Sequence, residues 1–219
     1  MPRRQEFWGW IVFILGAGAY LPIAIGGWQH PAEVNIASYS IWLIISGMLL
    51  YSSHSQGFAG WRMPLGFFFG NGSLLVLGFT RGGYTFNLGP AETLALYGVI
   101  GTLSVWVAVG TMTKKWKPRI LFLGGVTADI LSFYPQLKQY LLPHEPPTHL
   151  MILGWCLWVL VVFINIILVE EFFKKLMMTR AMYERHYEKP KDTLLIAEES
   201  IFSIENGVFM IVTVLVMTR

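Results

Sequence analysis

The sequence predicts an all-α membrane protein with seven transmembrane helices, arranged as two parallel three-helix repeats joined by one linker helix (3+1+3). First, 54% of the residues are hydrophobic and 13% are charged, whereas soluble domains carry about a quarter charged residues. Second, seven apolar stretches approach the roughly 20 residues that a helix needs to cross a bilayer. Third, Lys and Arg collect in alternate gaps between these stretches, as they do in multi-pass membrane proteins.

The apolar stretches define the predicted spans in chain order. They cover residues 8–27, 36–54, 62–80, 91–112, 119–141, 148–173 and 196–217. Short connections rich in Gly, Pro and charge separate them, which is typical of loops. The first stretch follows Arg3 and Arg4 and so resembles a signal peptide. Its length and Pro22 in its latter part favour a span that is retained.

The sixth span is followed by the longest polar stretch, at residues 170–192. Its pattern predicts that the sixth helix continues into the cytoplasm as one helix. Phe172, Phe173, Leu176 and Met177 would lie against the lipid headgroups. Pro190 is expected to end this extension, because proline cannot donate the next helical hydrogen bond.

The basic residues predict the orientation of the chain. Thirteen of the sixteen Lys and Arg residues occupy the alternate gaps: Arg3, Arg4, Arg62, Lys114, Lys115, Lys117, Arg119, Lys174, Lys175, Arg180, Arg185, Lys189 and Lys191. The other gaps hold only Arg81, Lys138 and Arg219. Cytoplasmic loops retain such residues, so we expect a cytoplasmic N-terminus and an external C-terminus in a plasma or inner membrane. These charges flank spans and indicate lipid headgroups, not nucleic acid, as partners.

Three features recur along the chain and indicate an internal duplication. The recurring residues are Pro22 and Pro135, Trp42 and Trp155, and the pairs Asn71-Gly72 and Asn206-Gly207. The shift along the chain that carries Pro22 onto Pro135 also carries Trp42 onto Trp155 without a gap. We therefore predict a first repeat at 1–82, a linker helix at 83–117, and a second repeat at 118–219 that includes the cytoplasmic extension 170–192. Such parallel repeats are a known transporter architecture.

This plan, with Pro135-Gln136 in the first helix of the second repeat, resembles the PQ-loop and SWEET superfamily of small transporters. The resemblance implies a carrier for a small polar metabolite, such as a sugar or an amino acid, that works by alternating access. It implies hinges at Pro22, Pro135 and Gln136, and a substrate pocket that contains Trp42, Trp155, Asn71 and Asn206. The chain departs from the family at Leu21-Pro22-Ile23, which lacks the glutamine. Its charges also predict the reverse of the family's usual orientation.

Two acidic residues, Asp129 and Glu205, fall near the middle of predicted spans. Intramembrane acids are costly and are functional by default, so we consider both as candidates for proton coupling. The alternative is a protonated carboxyl that bonds two helices. Similar structural alternatives apply to the other candidates: the asparagines as interhelical hydrogen bonds and the tryptophans as interfacial anchors.

No cofactor, metal site or enzymatic activity is expected. The five histidines lie near span ends or in loops without paired ligand spacing, Cys156 is alone, and no nucleophile elbow or phosphate-binding loop occurs. Two other functions remain open. One is a non-transporting subunit or receptor that docks a partner protein through its cytoplasmic face; the other is a membrane enzyme that acts on lipid or isoprenoid substrates. A homo-oligomer or a partner membrane protein is compatible with any of these. A carrier requires Asn71, Asn206 and Asp129 to converge on one cavity, whereas a subunit would pair them off separately.

Overall fold

The computed structural model describes residues 3–30, 34–82, 86, 88–109, 116–141, 149–187 and 191–218, without the side chains of 91, 109, 117 and 134–141. This part of the chain is helical and contains no strand. Its α-helices are α1 (Arg3–Gln29), α2 (Ile36–Ser55), α3 (Arg62–Arg81), α4 (Pro90–Val109), α5 (Trp116–Leu141), α6 (His149–Ile164), α7 (Phe172–Met177), α8 (Arg180–Tyr187) and α9 (Thr193–Met217). A 3-10 turn, Ala59–Trp61, precedes α3, and a π-helical turn, Asn165–Val169, follows α6.

Among the described residues, five helical segments are long and apolar enough to cross a membrane. They are Arg3–Gln29, Ile36–Ser55, Ala59–Arg81, His149–Met177 and Thr193–Met217. The all-α prediction is confirmed, and these segments are consistent with an integral membrane protein. Each predicted span falls on one of the helices α1 to α6 or α9, but a crossing by all seven remains a prediction.

Local side chains explain several helix ends. The Asn35 side chain accepts a hydrogen bond of 3.1 Å from the backbone N–H of Ala37 and caps α2. Asp192 caps α9 in the same way, accepting from the N–H of Leu195 at 3.1 Å. Gly82, with a φ of 70°, ends α3, because a left-handed residue after a helix is most easily provided by glycine.

The exterior of the bundle is apolar and its interior holds polar side chains. Val76 and Phe79 on α3 are 63% and 77% exposed, whereas Asn71 on the same helix is 1% exposed. Asp129 and Asn206 are buried as well. Apolar side chains also fill most of the interior, so the informative feature is the number of large apolar side chains on the exterior, which fits surroundings of lipid.

The contacts between helices keep the same pattern when α1, α2 and α3 are exchanged with α5, α6 and α9, respectively. In the first helix set (α1, α2, α3), α3 packs against both other helices; in the second helix set (α5, α6, α9), α9 does so. Between the sets, α1 packs on α6 and α2 packs on α5, while α4 lies on α5 and α2. The division into repeats and linker itself stays a prediction.

Contacts bring the segments rich in Lys and Arg, which lie between the predicted spans, to one end of the bundle. We call this end the basic end. The contacts join Glu6 to Arg62, Gln5 to Glu171, Arg119 to Glu198, and Ser52 to the carbonyl of Pro118. These residues lie at the starts of α1, α3, α5 and α9 and near the ends of α2 and the sixth span. Which face of a membrane this end meets remains a prediction.

The predicted continuous helix beyond residue 170 is wrong. After the π-helical turn, Glu171 adopts a left-handed conformation with a φ of 50°, and α7 and α8 follow as two short helices separated at Met178. The physical reason lies in the side chain of Glu170, which folds back into the bundle and accepts a hydrogen bond of 2.8 Å from Asn165. Pro190, the predicted terminator, lies outside the described residues.

Candidate functional site

A cavity lies between the first and the second helix set. The described side chains that line it are Tyr20, Ile23, Tyr39, Trp42, Ile45, Ser46, Leu49, Phe67, Asn71, Asp129, Phe133, Trp155, Trp158, Phe202 and Met210. All six helices of the two sets contribute, and α4 does not. The cavity volume is about 20 Å³, which leaves room for about one water molecule. The cavity is therefore present but nearly closed.

Four of the predicted site residues line this cavity: Trp42, Asn71, Asp129 and Trp155. A fifth, Asn206, stands directly behind it, because its Nδ2 donates a hydrogen bond of 2.9 Å to Oδ2 of Asp129. Residues from both helix sets thus converge on one cavity, which is the arrangement expected of a carrier.

Asn71 presents an unsatisfied amide at the cavity. Neither its oxygen nor its nitrogen has a partner at hydrogen-bonding geometry, although the Tyr20 hydroxyl is a polar neighbour. Tyr20 reaches this position because the preceding residue on α3 is Gly70, where any Cβ would overlap the Tyr20 ring. A buried amide without a partner costs about 1–3 kcal/mol, so a ligand or a water molecule that bonds Asn71 in the cavity would recover this free energy.

Asp129 is held by a short chain of hydrogen bonds. Asn206 donates to its carboxylate, and the Ser132 hydroxyl donates to its backbone carbonyl at 2.7 Å. The Trp42 indole N–H in turn donates to Ser132 Oγ. This chain fixes the carboxylate and the Trp42 ring relative to each other. Sequence reasoning missed Ser132, since one serine in an apolar helix carries no distinctive signal.

Glu205 does not line the cavity among the described residues. Its Oε2 lies 3.4 Å from Asn206 Nδ2, and its Oε1 has no hydrogen-bond partner. Asn206 therefore contacts both predicted proton-coupling acids. No group of three His, Cys, Asp or Glu side chains is placed to hold a metal ion in the described part of the chain.

Three aromatic rings form one wall of the cavity. The ring centroids of Trp42 and Trp155 are 6.3 Å apart, and Phe133 lies 5.7 Å from Trp42 and 6.4 Å from Trp155. The two tryptophans are 7% and 4% exposed, so they pack inside the bundle and not at its surface. The Trp155 N–H is buried without an acceptor.

Further residues of the cavity lining correspond to each other under the predicted duplication, and the sequence prediction did not use them. The shift that joins the two prolines pairs Tyr20 with Phe133 and Ile45 with Trp158. The shift that joins the two asparagines pairs Phe67 with Phe202. The signal was available in the sequence, but aromatic residues are too frequent there to stand out before their contacts are known.

The same shifts also reveal where the two helix sets differ. Asp129 corresponds to Gly16, and Glu205 corresponds to Gly70. In the first set the two glycines leave space for rings: a Cβ on Gly16 would lie 3.0 Å from the Trp158 ring, just as Tyr20 covers Gly70. The carboxylates therefore belong to the second set alone.

Of the predicted hinge residues, Pro22 falls outside the described lining. Pro22 is half-buried within α1, which stays helical on both sides of it. Pro135 and Gln136 lie in the helical backbone of α5, but their side chains fall outside the described residues. Proline lacks the N–H that would bond the carbonyl four residues before it, so Pro22 leaves that of Gly18 without this partner.

A second polar group, missed by sequence reasoning, is buried at the basic end. This basic-end cluster comprises Asn165, Glu170, Lys175, Glu199 and Ser203. Ser203 donates to Glu170 at 2.6 Å, Asn165 donates to Glu170 and Ser203, and Lys175 pairs with Glu199 at 2.7 Å. Glu199 also accepts from the backbone N–H of Ala59 at 2.5 Å, which ties the second helix set to the turn before α3.

The extension beside this cluster is anchored by Glu171. Its carboxylate accepts hydrogen bonds from the Tyr187 hydroxyl at 2.5 Å and from Lys174 at 3.1 Å. Burial, followed by this contact with Glu171, raises the pKa of Tyr187, so its hydroxyl remains protonated and donates.

Comparison of the chain with protein-family models, with curated proteins and with solved structures finds no match. The resemblance to the PQ-loop and SWEET superfamily therefore remains a prediction from the residues quoted above.

Proposed function

We propose that this protein is a membrane carrier that moves a small polar metabolite, such as a sugar or an amino acid, by alternating access. The observation that carries the proposal is the convergence of Asn71, the Asp129–Asn206 pair and both tryptophans on one cavity. A subunit without transport function has no need for an unsatisfied amide beside a buried carboxylate. A lipid-modifying enzyme would instead require reactive groups open to the membrane boundary.

The moving parts in this proposal are two three-helix repeats, at 1–82 and 118–219, with the linker at 83–117. The exchange symmetry of the helix packing supports this division. The substrate site would then lie between two similar rigid bodies, as in transporters built from parallel repeats. Pro22 and the Pro135-Gln136 pair would act as hinges, since each proline removes one helical hydrogen bond.

The described conformation corresponds to a nearly closed state of the carrier. Its cavity is too small for a sugar, so the two helix sets must separate to admit a substrate. The basic-end cluster resists separation at one end, because Glu199 bonds both Lys175 and the backbone of Ala59. Opening toward that end therefore requires Glu199 to release Ala59.

Proton coupling is part of the same hypothesis. Asp129 and Glu205 share the amide of Asn206, so protonation of one acid would change the bonds available to the other. If coupling operates, an inward proton gradient will accelerate uptake, and Asp129→Asn will remove that acceleration. Gradient-independent uptake by the unmodified protein would instead indicate facilitated diffusion.

The test of function is uptake into proteoliposomes that contain the purified protein, using labelled sugars, amino acids and amines. We expect saturable uptake of at least one solute, and Asn71→Ala should lower it about tenfold, because a lost hydrogen bond is worth about 1–1.5 kcal/mol. Ser73→Ala is the matched control, since this α3 hydroxyl is exposed and bonds only the Phe69 carbonyl.

Two results would contradict the proposal. One is the absence of saturable uptake of every solute in the panel, which would favour the non-transporting subunit. The other is uptake that Asn71→Ala and Ser73→Ala leave equally unchanged, which would move the transport path away from this cavity.

A further inference from the structure

We infer that the carried solute is a small organic cation, an ammonium compound without a carboxylate group. This inference rests on the proposed function and specifies the substrate class of the same cavity. It starts from charge: among the described lining residues, Asp129 is the one carboxylic acid, and none is Lys, Arg or His. The site therefore offers a buried carboxyl group without a resident positive partner.

Cations elsewhere in the bundle do not fill this role. The two buried cations of the described part, Arg62 and Lys175, lie outside the lining and are paired with Glu6 and Glu199. Asp129 itself receives only neutral donors, from Asn206 and Ser132. A buried carboxylate is favoured strongly by a positive charge nearby, and in this cavity the solute is the available source.

The aromatic wall suits the same chemistry. Trp42, Phe133 and Trp155 have centroids within 6.4 Å of one another and are inclined to each other by 53° to 70°. Aromatic faces carry partial negative charge, and several inclined rings form the kind of cage that binds quaternary ammonium groups. The Trp42 ring is also connected to Asp129 through Ser132.

The lining is less suited to the alternative solutes. An ordinary amino acid would bring its own carboxylate beside Asp129, and no described lining residue would neutralise it. A sugar needs many hydrogen-bond partners, but most of the described lining is apolar or aromatic, and Ser46 already donates to the Trp42 carbonyl at 2.6 Å. One amide for a hydroxyl and one acid for a cation match an amino alcohol better than a sugar.

The first experiment compares choline with 3,3-dimethylbutan-1-ol, which has the same shape but no charge. Binding to the purified full-length protein is measured by calorimetry, and uptake of labelled choline is measured in proteoliposomes. We expect choline to bind at least about tenfold more tightly than the neutral compound, because the cation gains both the carboxylate and the ring faces. Equal affinities would overturn the inference.

Variants then separate the two sources of affinity. Asp129→Asn and Trp155→Leu should each weaken choline binding about tenfold or more, whereas Trp155→Phe keeps a ring face and should retain part of the affinity. Thr127→Val is the matched control on α5, since this exposed hydroxyl bonds only the Leu123 carbonyl. Unchanged choline binding in Asp129→Asn would also overturn the inference.

The outcomes distinguish this inference from the proposed function. Saturable uptake of a neutral sugar but not of choline would reject the cation and leave the carrier standing. Failure to transport any solute would reject both. If Asp129→Asn does not fold, the comparison of choline with its neutral isostere in the unmodified protein decides the question.

Discussion

Asn71 and Asn206 occupy corresponding places on α3 and α9, and the oxygens of both amides are buried without a partner, but their nitrogens differ. Asn206 donates to Asp129 at 2.9 Å and to the Phe202 carbonyl at 3.0 Å. Asn71 makes no comparable bond and faces the cavity. Two residues at corresponding positions can therefore contribute differently to stability. The same substitution should change the free energy of unfolding in opposite directions at the two positions.

Replacement of each asparagine by leucine tests this difference. Asn71→Leu removes an unsatisfied amide and should raise the free energy of unfolding by about 1 kcal/mol, whereas Asn206→Leu removes a donor from Asp129 and should lower it by about 1–3 kcal/mol. Thermal unfolding of the two variants in the same detergent measures both effects, with Ser73→Ala as the reference. A loss of stability at both positions would show that the amide of Asn71 is hydrogen-bonded as well and would contradict this difference.

Part of the candidate site could be predicted from the sequence. The repeated Asn-Gly pairs and the intramembrane acid predicted Asn71, Asn206 and Asp129. In the structure Asn71 and Asp129 line one cavity, and Asn206 bonds Asp129. The sequence could not tell which asparagine keeps its amide free, because that depends on Asp129, whose counterpart in the first helix set is Gly16. The roles of Ser132 and Tyr20 likewise depend on contacts between distant segments, which no local pattern encodes.

Among the helical segments, the one after α6 departs most from its prediction. Residues 170–192 have a helical pattern, so local reasoning continues the helix. In the structure, Glu170 obtains hydrogen bonds from Asn165 and Ser203 only by turning inward, and Glu171 takes the left-handed conformation that this requires. Tertiary hydrogen bonds thus override helix propensity, which amounts to less than about 1 kcal/mol per residue.

The ion pair between Lys175 on α7 and Glu199 on α9 makes the contribution of this segment to stability measurable. Lys175→Met leaves the buried carboxylate of Glu199 without its cation and should lower the free energy of unfolding by about 3–5 kcal/mol, whereas the double variant Lys175→Met, Glu199→Gln should recover much of the loss. Thermal unfolding in detergent is the measurement. Arg180→Met is the control, because the Arg180–Glu184 pair is exposed and should contribute less than about 1 kcal/mol.

A double variant that is no more stable than Lys175→Met alone would contradict this account. In that case the aliphatic chain of Lys175, and not its charge, would hold α7 against α9.

For the bundle as a whole, the sequence predicted the long helices, since these depend on stretches of apolar residues, whereas the two-part plan stays a prediction. The charge pattern grouped the basic gaps, and contacts such as Arg119 with Glu198 place those gaps at one end of the bundle. The near-closure of the cavity could not be predicted, because it depends on how rings from different helices fill the spaces beside Gly16 and Gly70.

The orientation of this bundle can be measured directly. In a Cys156→Ser background, Met182→Cys marks the basic end and Thr218→Cys marks the opposite end of α9; both side chains are exposed. Because cytoplasmic loops retain basic residues, a membrane-impermeant maleimide should label Thr218→Cys in intact cells and Met182→Cys only after permeabilisation. The reverse labelling pattern would refute the predicted orientation.

The placement of acids opposite glycines has a consequence for how such a site can arise. An assembly of two identical chains repeats every group across its symmetry axis, so a carboxylate beside that axis would appear twice and the two would repel each other. With both halves on one polypeptide, Asp129 can face a ring that fills the space beside Gly16. A single chain can thus offer one off-centre charge, which a homodimer of half its size could not.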